Sequence, residues 1–121
     1  MFIELSHTKL EVYFLSKKLN LEIHKVLKIF QPEEKYNMVQ QIRRAALSVH
    51  LNIEEGSSRK SEIERKRFYE ISRGSVIEID AAFDVAIELD YCTTSDLKLS
   101  GELLDRIFKI LSAMINSNPK Y

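Results

Sequence analysis

The sequence predicts an all-α protein, an antiparallel up-down-up-down four-helix bundle occupying residues 1–121 as one domain. Three observations carry that expectation. Apolar residues recur at three- and four-residue spacing through four stretches, the pattern of a buried stripe on a 3.6-residue helix. The stretches are joined by turns of a few residues, which makes sequence neighbours antiparallel. Glycine (3) and proline (2) are scarce, and no stretch alternates with the period of two that marks a half-buried strand.

The first helix is expected over residues 8–30, with Val12, Leu15, Leu19, Ile23, Val26 and Phe30 as its core stripe and Pro32 as its stop. A second stripe, Leu10, Phe14 and Leu21, lies on another side, explained either by an oligomer contact or by cover from the first few residues. Residues 31–36 make a polar turn. Asn37 with Gln40 resembles a capping box opening the second helix, and Gly56 suits a left-handed C-terminal cap. Ser61 with Glu64 is an S-x-x-E box that starts the third helix, expected over residues 62–89. Its stripe runs through Phe68, Ile71, Ser75, Ile79, Ala82, Ala86 and Leu89, widened by Val76, Phe83 and Ile87. Lys66, Glu70, Arg73, Asp80, Asp84 and Glu88 fall on its outer face. Residues 90–94 turn again, Thr94 or Ser95 caps the fourth helix, and Leu97, Leu104, Ile107, Phe108, Leu111, Met114 and Ile115 form its apolar face. The tail around Pro119 is expected to fray.

The second helix, within residues 41–60, carries three stripes where a simple bundle needs one. Ile42, Ala45, Ala46, Val49 and Ile53 form a core face. Gln41, Arg44, Ser48, Asn52, Glu55 and Arg59 form a hydrogen-bonding face. Such a face fixes register by bonding to third-helix residues such as Glu78, Ser72 or Ser75, or it meets another subunit or a groove. Arg44, Ser48, Asn52, Glu55 and Glu78 are therefore the candidate structural polar network. The third stripe is the i,i+4 pair Leu47 and Leu51, opposite the core. Together with Leu10 and Phe14 it is the candidate oligomer interface.

Composition narrows the function. A chain of 121 residues, 45% hydrophobic and 30% charged, suits one autonomous domain. No apolar run approaches a membrane span of about 18 residues, so no membrane partner is expected. The first residues lack the basic start and apolar block of a signal peptide, and cytoplasmic residence is the simplest expectation. Cys92 is the only cysteine, which excludes an intrachain disulfide. Net charge is zero but unevenly spread. Residues 37–74 hold eight basic and five acidic side chains, whereas residues 75–105, from Glu78 to Asp105, hold eight acids and one lysine. A basic and an acidic end attract a polyanion or a second copy; neighbouring helices neutralising each other is the blander account.

Catalytic constellations are missing from the sequence. A di-iron bundle needs E-x-x-H, which does not occur. His7, His24 and His50 are scattered and read as surface histidines, Cys92 has no predicted base, and Gly-rich phosphate loops are absent. No enzyme activity, metal, cofactor or small-molecule substrate is expected. For nucleic acid the candidates are Arg43, Arg59, Lys60, Arg65, Lys66, Arg67 and Arg73, around the turn between the second and third helices, with Tyr69 as a stacking surface. The isoelectric point near 6.8 is low for a dedicated nucleic-acid binder.

The run QIRRAALSVHLNIEEG, followed by SRKS and RFYEISRGSVIEID, resembles the small four-helix-bundle proteins encoded in intervening sequences of bacterial 23S ribosomal RNA. The accessory protein of diversity-generating retroelements looks like a basic relative. The resemblance extends over residues 10–115 and is most specific at Asn52, Ile53, Glu55 and Gly56. It implies an antiparallel bundle without known catalysis, a homo-oligomer with a pentameric ring foremost, and, for the retroelement relative, RNA and a reverse transcriptase as partners. Arg43, Arg44, Asn52, Glu55, Gly56, Arg59, Lys60, Phe68, Gly74, Ser75 and Glu78 are the motif residues it carries over. The neutral charge departs from that basic relative. The expected function is a non-enzymatic, self-assembling scaffold associated with RNA or a ribonucleoprotein; the alternative is a direct RNA-binding module using the basic turn.

Overall fold

In the computed structural model, which describes residues 2, 3 and 10–117, four α-helices follow one another: α1 (Glu11–Val26), α2 (Met38–Ser58), α3 (Glu62–Glu88) and α4 (Lys98–Asn116). The expected helix start at Thr8, His7 and the tail at Pro119 lie outside the described residues. The α-helical hydrogen bonding of α1 ends at Val26. A 3₁₀ turn, Leu27–Ile29, continues the first helix to Phe30, whose extended backbone breaks it ahead of Pro32. Pro32 itself opens a second 3₁₀ turn, Pro32–Glu34, where its missing N–H costs nothing.

Consecutive helices run antiparallel, as the bonds crossing each pair show. Between α1 and α2, Ser16 meets His50 and Asn20 reaches the Ala46 carbonyl. Between α2 and α3 the pairs are Gln41–Glu78, Ser48–Ser75, Val49–Ser72 and Ser57–Tyr69. Between α3 and α4 they are Lys66–Ser117 and Arg73–Ser112. In each series one number rises as the other falls. α4 returns beside α1, where Arg106 pairs with Glu11 at 2.9 Å. The four stripes meet in one core whose most enclosed members include Leu19, Ile23, Ile42, Ile53, Ile79, Ile107 and Leu111. Each such side chain contributes about 1.5–3 kcal/mol by leaving water.

The helix ends differ from expectation at three places. Asn37 does not cap α2 with its side chain. The Glu34 carboxylate does so instead, accepting from Met38 N at 3.2 Å and from Asn37 Nδ2 at 3.1 Å, because the preceding 3₁₀ turn brings it over the helix start. Gly56 is not a left-handed cap, since α2 runs on to Ser58 and no described glycine has positive φ. Its role is close packing. A Cβ there would lie 2.9 Å from the Tyr69 ring and 3.1 Å from the Arg65 carbonyl oxygen. The left-handed cap falls on Asp90 (φ 61°), after α3: Tyr91 N donates to Ala86 O and Asp90 N to Ile87 O, a Schellman pair. α4, finally, begins at Lys98 rather than at a Thr94 or Ser95 cap. Thr93 and Asp96 form the reciprocal side-chain-to-backbone bonds one turn earlier.

α3 keeps its expected length and its Ser61 cap, but its buried stripe is rotated. Tyr69, Ser72, Val76, Ile79, Phe83 and Ala86 are buried, while Ile71 and Leu89 are exposed and Ser75 is half-buried. Small Ser72, not Ile71, faces the core because α2 packs close there.

Candidate functional site

The polar face of α2 divides into three local arrangements. At its centre Ser75 Oγ donates to Ser48 Oγ at 2.9 Å, and Asn52 Nδ2 donates to the Ser48 carbonyl and hydroxyl. Beneath them Ser72, fully buried, donates to the Val49 carbonyl at 2.7 Å. Towards one end Gln41 donates to Glu78 at 2.8 Å. Towards the other, Glu55 pairs with Arg59 and not with α3. Arg44 is exposed and stands apart from the network. Three of the five candidate network residues, Ser48, Asn52 and Glu78, thus sit on the α2–α3 seam.

Four of the seven candidate nucleic-acid cations, Arg59, Arg65, Lys66 and Arg73, have partners within the chain. Arg59 is engaged by Glu55 and Glu64 and lies over the Phe68 ring. Arg65 donates to the carbonyls of Arg59 and Lys60, neutralising the negative end of α2. Lys66 pairs with Glu62 and donates to the Ser117 carbonyl. Arg73 is not on a solvated face: it donates to Ser112 at 3.2 Å and lies over Phe108. Tyr69 is buried and bonded to Ser57, so no base can stack on it. Lys60 and Arg67 remain exposed beside the turn, and Arg43 is exposed fifteen residues or more away along the chain.

His50 departs from the surface reading. Its ring packs 4.7 Å from the Tyr13 ring, and Nδ1 lies 2.7 Å from Ser16 Oγ. Ser16 donates its proton to the Tyr13 carbonyl at 3.0 Å, which leaves Nδ1–H as donor to Ser16. Burial holds the imidazole below its ordinary pKa, with Glu54 opposing and Lys17 reinforcing the shift. Ser16 has no exposed surface and His50 is half-buried, and the pair is a cross-brace between α1 and α2. Cys92, in the turn after α3, is buried, and burial followed by Asp96 pushes its thiol up, away from nucleophilic reactivity.

The candidate interface residues are all at the surface. Leu47 and Leu51 are each 50% exposed, with Ile71 one turn from the Ser48–Ser75 bridge on the same seam. Leu10, Phe14 and Leu21 make an apolar ridge on α1, Phe14 being 56% exposed. The sequence reading missed a complementary feature, a groove along α3–α4. Its first part, about 320 Å³, is lined by Ile77, Asp80, Gly101, Leu104, Asp105 and Phe108, and a second part of about 390 Å³ continues it towards Asp84 and Leu97. Phe108, on the expected apolar face of α4, is partly exposed and lines this groove. The available signal was Gly101, a glycine inside a helical stretch.

Among the described residues no three His, Cys, Asp or Glu side chains converge to hold a metal, and no helix is long and apolar enough to cross a membrane. No curated protein matches the sequence. A crystal structure from the S23 ribosomal protein family of Bacteroides thetaiotaomicron VPI-5482, a protein of unknown function, is similar with a TM-score of 0.80. The match covers 88% of this chain and 99% of that one at 22% identity, a likeness of fold. The profile of the 23S rRNA-intervening sequence proteins matches residues 8–113, nearly the whole bundle, and the chain belongs to that family.

Proposed function

We propose that the protein is a non-enzymatic helical-bundle scaffold that assembles with copies of itself into a ring, five subunits being the number its resemblance implies, in association with RNA or a ribonucleoprotein. One observation carries the self-assembly: large apolar side chains are exposed in register along helices whose core stripes are already complete. Phe14 and Leu21 on α1 and Leu47 and Leu51 on α2 are each at least half exposed. Scattered leucines are ordinary on any surface, but rows of them mark contact faces. Light scattering at micromolar concentration tests it. A multiple of the 14.1 kDa chain mass is expected, and a monomer overturns the reading.

Direct RNA binding is the second reading, supported by Lys60 and Arg67, exposed outside the ion pairs described above. Binding at low salt that weakens with added salt and falls when both are changed to glutamate is expected. RNA binding that ignores the two substitutions overturns it.

A further inference from the structure

The α3–α4 groove and the outer face of α1 are opposites in shape and charge. The groove has an apolar floor of Leu104, Ile77 and Phe108, and its rims carry Asp80, Asp84 and Asp105. Lys109 pairs with Asp105 at 2.8 Å, and Lys98 stands at the far end, so Asp80 and Asp84 dominate the middle. Gly101 keeps the groove open, with nothing within 4 Å of where its Cβ would be. The α1 face is a ridge, Leu10, Phe14 and Leu21, bordered by exposed Lys17, Lys18, Lys25 and Lys28. Among the described residues only Lys25 of these forms an ion pair, with Glu22 at 3.3 Å. Lengths agree as well. Leu10 to Leu21 spans about 16 Å at 1.5 Å per residue, and so does the groove wall from Leu97 to Phe108.

We infer that the α1 ridge of one copy seats in the α3–α4 groove of the next, apolar side chains on the groove floor and lysines against the aspartate rims. The inference rests on the self-assembly reading and specifies its surfaces. Because the two surfaces are different, the contact is heterologous, and such contacts repeat from copy to copy until rotation closes a ring.

Two variants test this. Phe14→Glu spoils the ridge and leaves the groove; Gly101→Arg fills the groove, its guanidinium beside Asp105 and Asp80, and leaves the ridge. Phe14 is exposed and Gly101 open, so circular dichroism and the melting temperature should show both variants folded. Light scattering is expected to find each variant alone monomeric and an equimolar mixture forming a 1:1 dimer, with one intact ridge in one intact groove. The mixture is measured at several concentrations up to the high micromolar range, because a single contact lacks the avidity of a closed ring. A wild-type oligomer whose variants both stay assembled, or whose variants fail to pair, overturns this inference and leaves self-assembly standing. A wild-type monomer overturns both.

Discussion

The two seams of α3 are built in opposite ways from similar residues. Along α2–α3, Gly56 lets two helices touch, and a Cβ there would strike Tyr69 and the Arg65 carbonyl. Buried Ser72 spends its proton on the Val49 carbonyl, and the pairs Ser57–Tyr69, Ser48–Ser75 and Gln41–Glu78 pin the seam along its length. Along α3–α4, Gly101 leaves space in place of contact, Ile77 is 52% exposed, and in α4 the buried Ser100 hydroxyl has no hydrogen-bond partner among the described residues. A helical glycine therefore has no fixed meaning: it admits a neighbour in one seam and keeps room in the other. The filled seam sets register, and the open one offers a surface.

Substitutions at these glycines and serines should break the symmetry of residue type. Gly56→Val is expected to cost about 3 kcal/mol, because the Arg65 carbonyl is backbone and cannot yield and the Tyr69 ring is held by Ser57. A urea unfolding midpoint equal to wild type would show the seam to be loose. Ser72→Ala should cost about 1 kcal/mol for its lost bond, whereas Ser100→Ala should be neutral or stabilising, since it removes an unpaired hydroxyl. Equal losses at the two serines would contradict the contrast. Gly101→Ala should gain about 0.5–1 kcal/mol from reduced backbone entropy, the reverse in sign of Gly56→Val, and a loss there would mean that the groove is narrower than described.

Much of this fold was legible because period-3.6 patterning is a property of each helix alone. The Ser61 cap and all five expected core residues of α2 match, whereas in the first helix Leu15 and Val26 are only half-buried and Tyr13, Ser16 and Leu27 join the core unexpectedly. What escaped depends on neighbours. The rotation that buries Tyr69 and Ser72 in place of Phe68 and Ile71 is dictated by α2's approach at Gly56, and no single-helix pattern contains it. Gly56 was noticed for its conformational freedom, although its lack of bulk is what matters. The basic cluster looked available because charge was counted along the chain, and the fold then gave Arg59, Arg65, Lys66 and Arg73 intramolecular partners. The groove stayed invisible because it depends on how side chains of two helices, α3 and α4, face each other, which neither helix's own pattern contains.

The polar seam has a last fastening beyond Gln41, and it makes the seam's strength depend on acid. Tyr91, placed by the left-handed turn at Asp90, donates from its hydroxyl to Glu34 Oε1 at 2.8 Å, while the other carboxylate oxygen caps α2. The Tyr91 bond first, and the Met38 N–H second, hold the Glu34 carboxyl below its ordinary value. A carboxyl whose folded pKa is lowered stabilises the fold fully above its unfolded pKa of about 4.3, and that contribution disappears as the pH falls through the folded value. Glu34→Gln keeps the shape and removes the charge. Its urea midpoint should lie below wild type at pH 7, and the two should converge in acid as the native carboxylate is protonated. His50 adds a second, earlier slope. Its lowered pKa makes the folded state prefer neutral imidazole, so stability is full above about pH 6.5 and declines below it, and this slope should persist in Glu34→Gln but vanish in His50→Gln. If the Glu34→Gln and wild-type curves run parallel through the carboxylate range, the Tyr91–Glu34 bond is not a fastening of the α2–α3 seam, and the seam ends at Gln41.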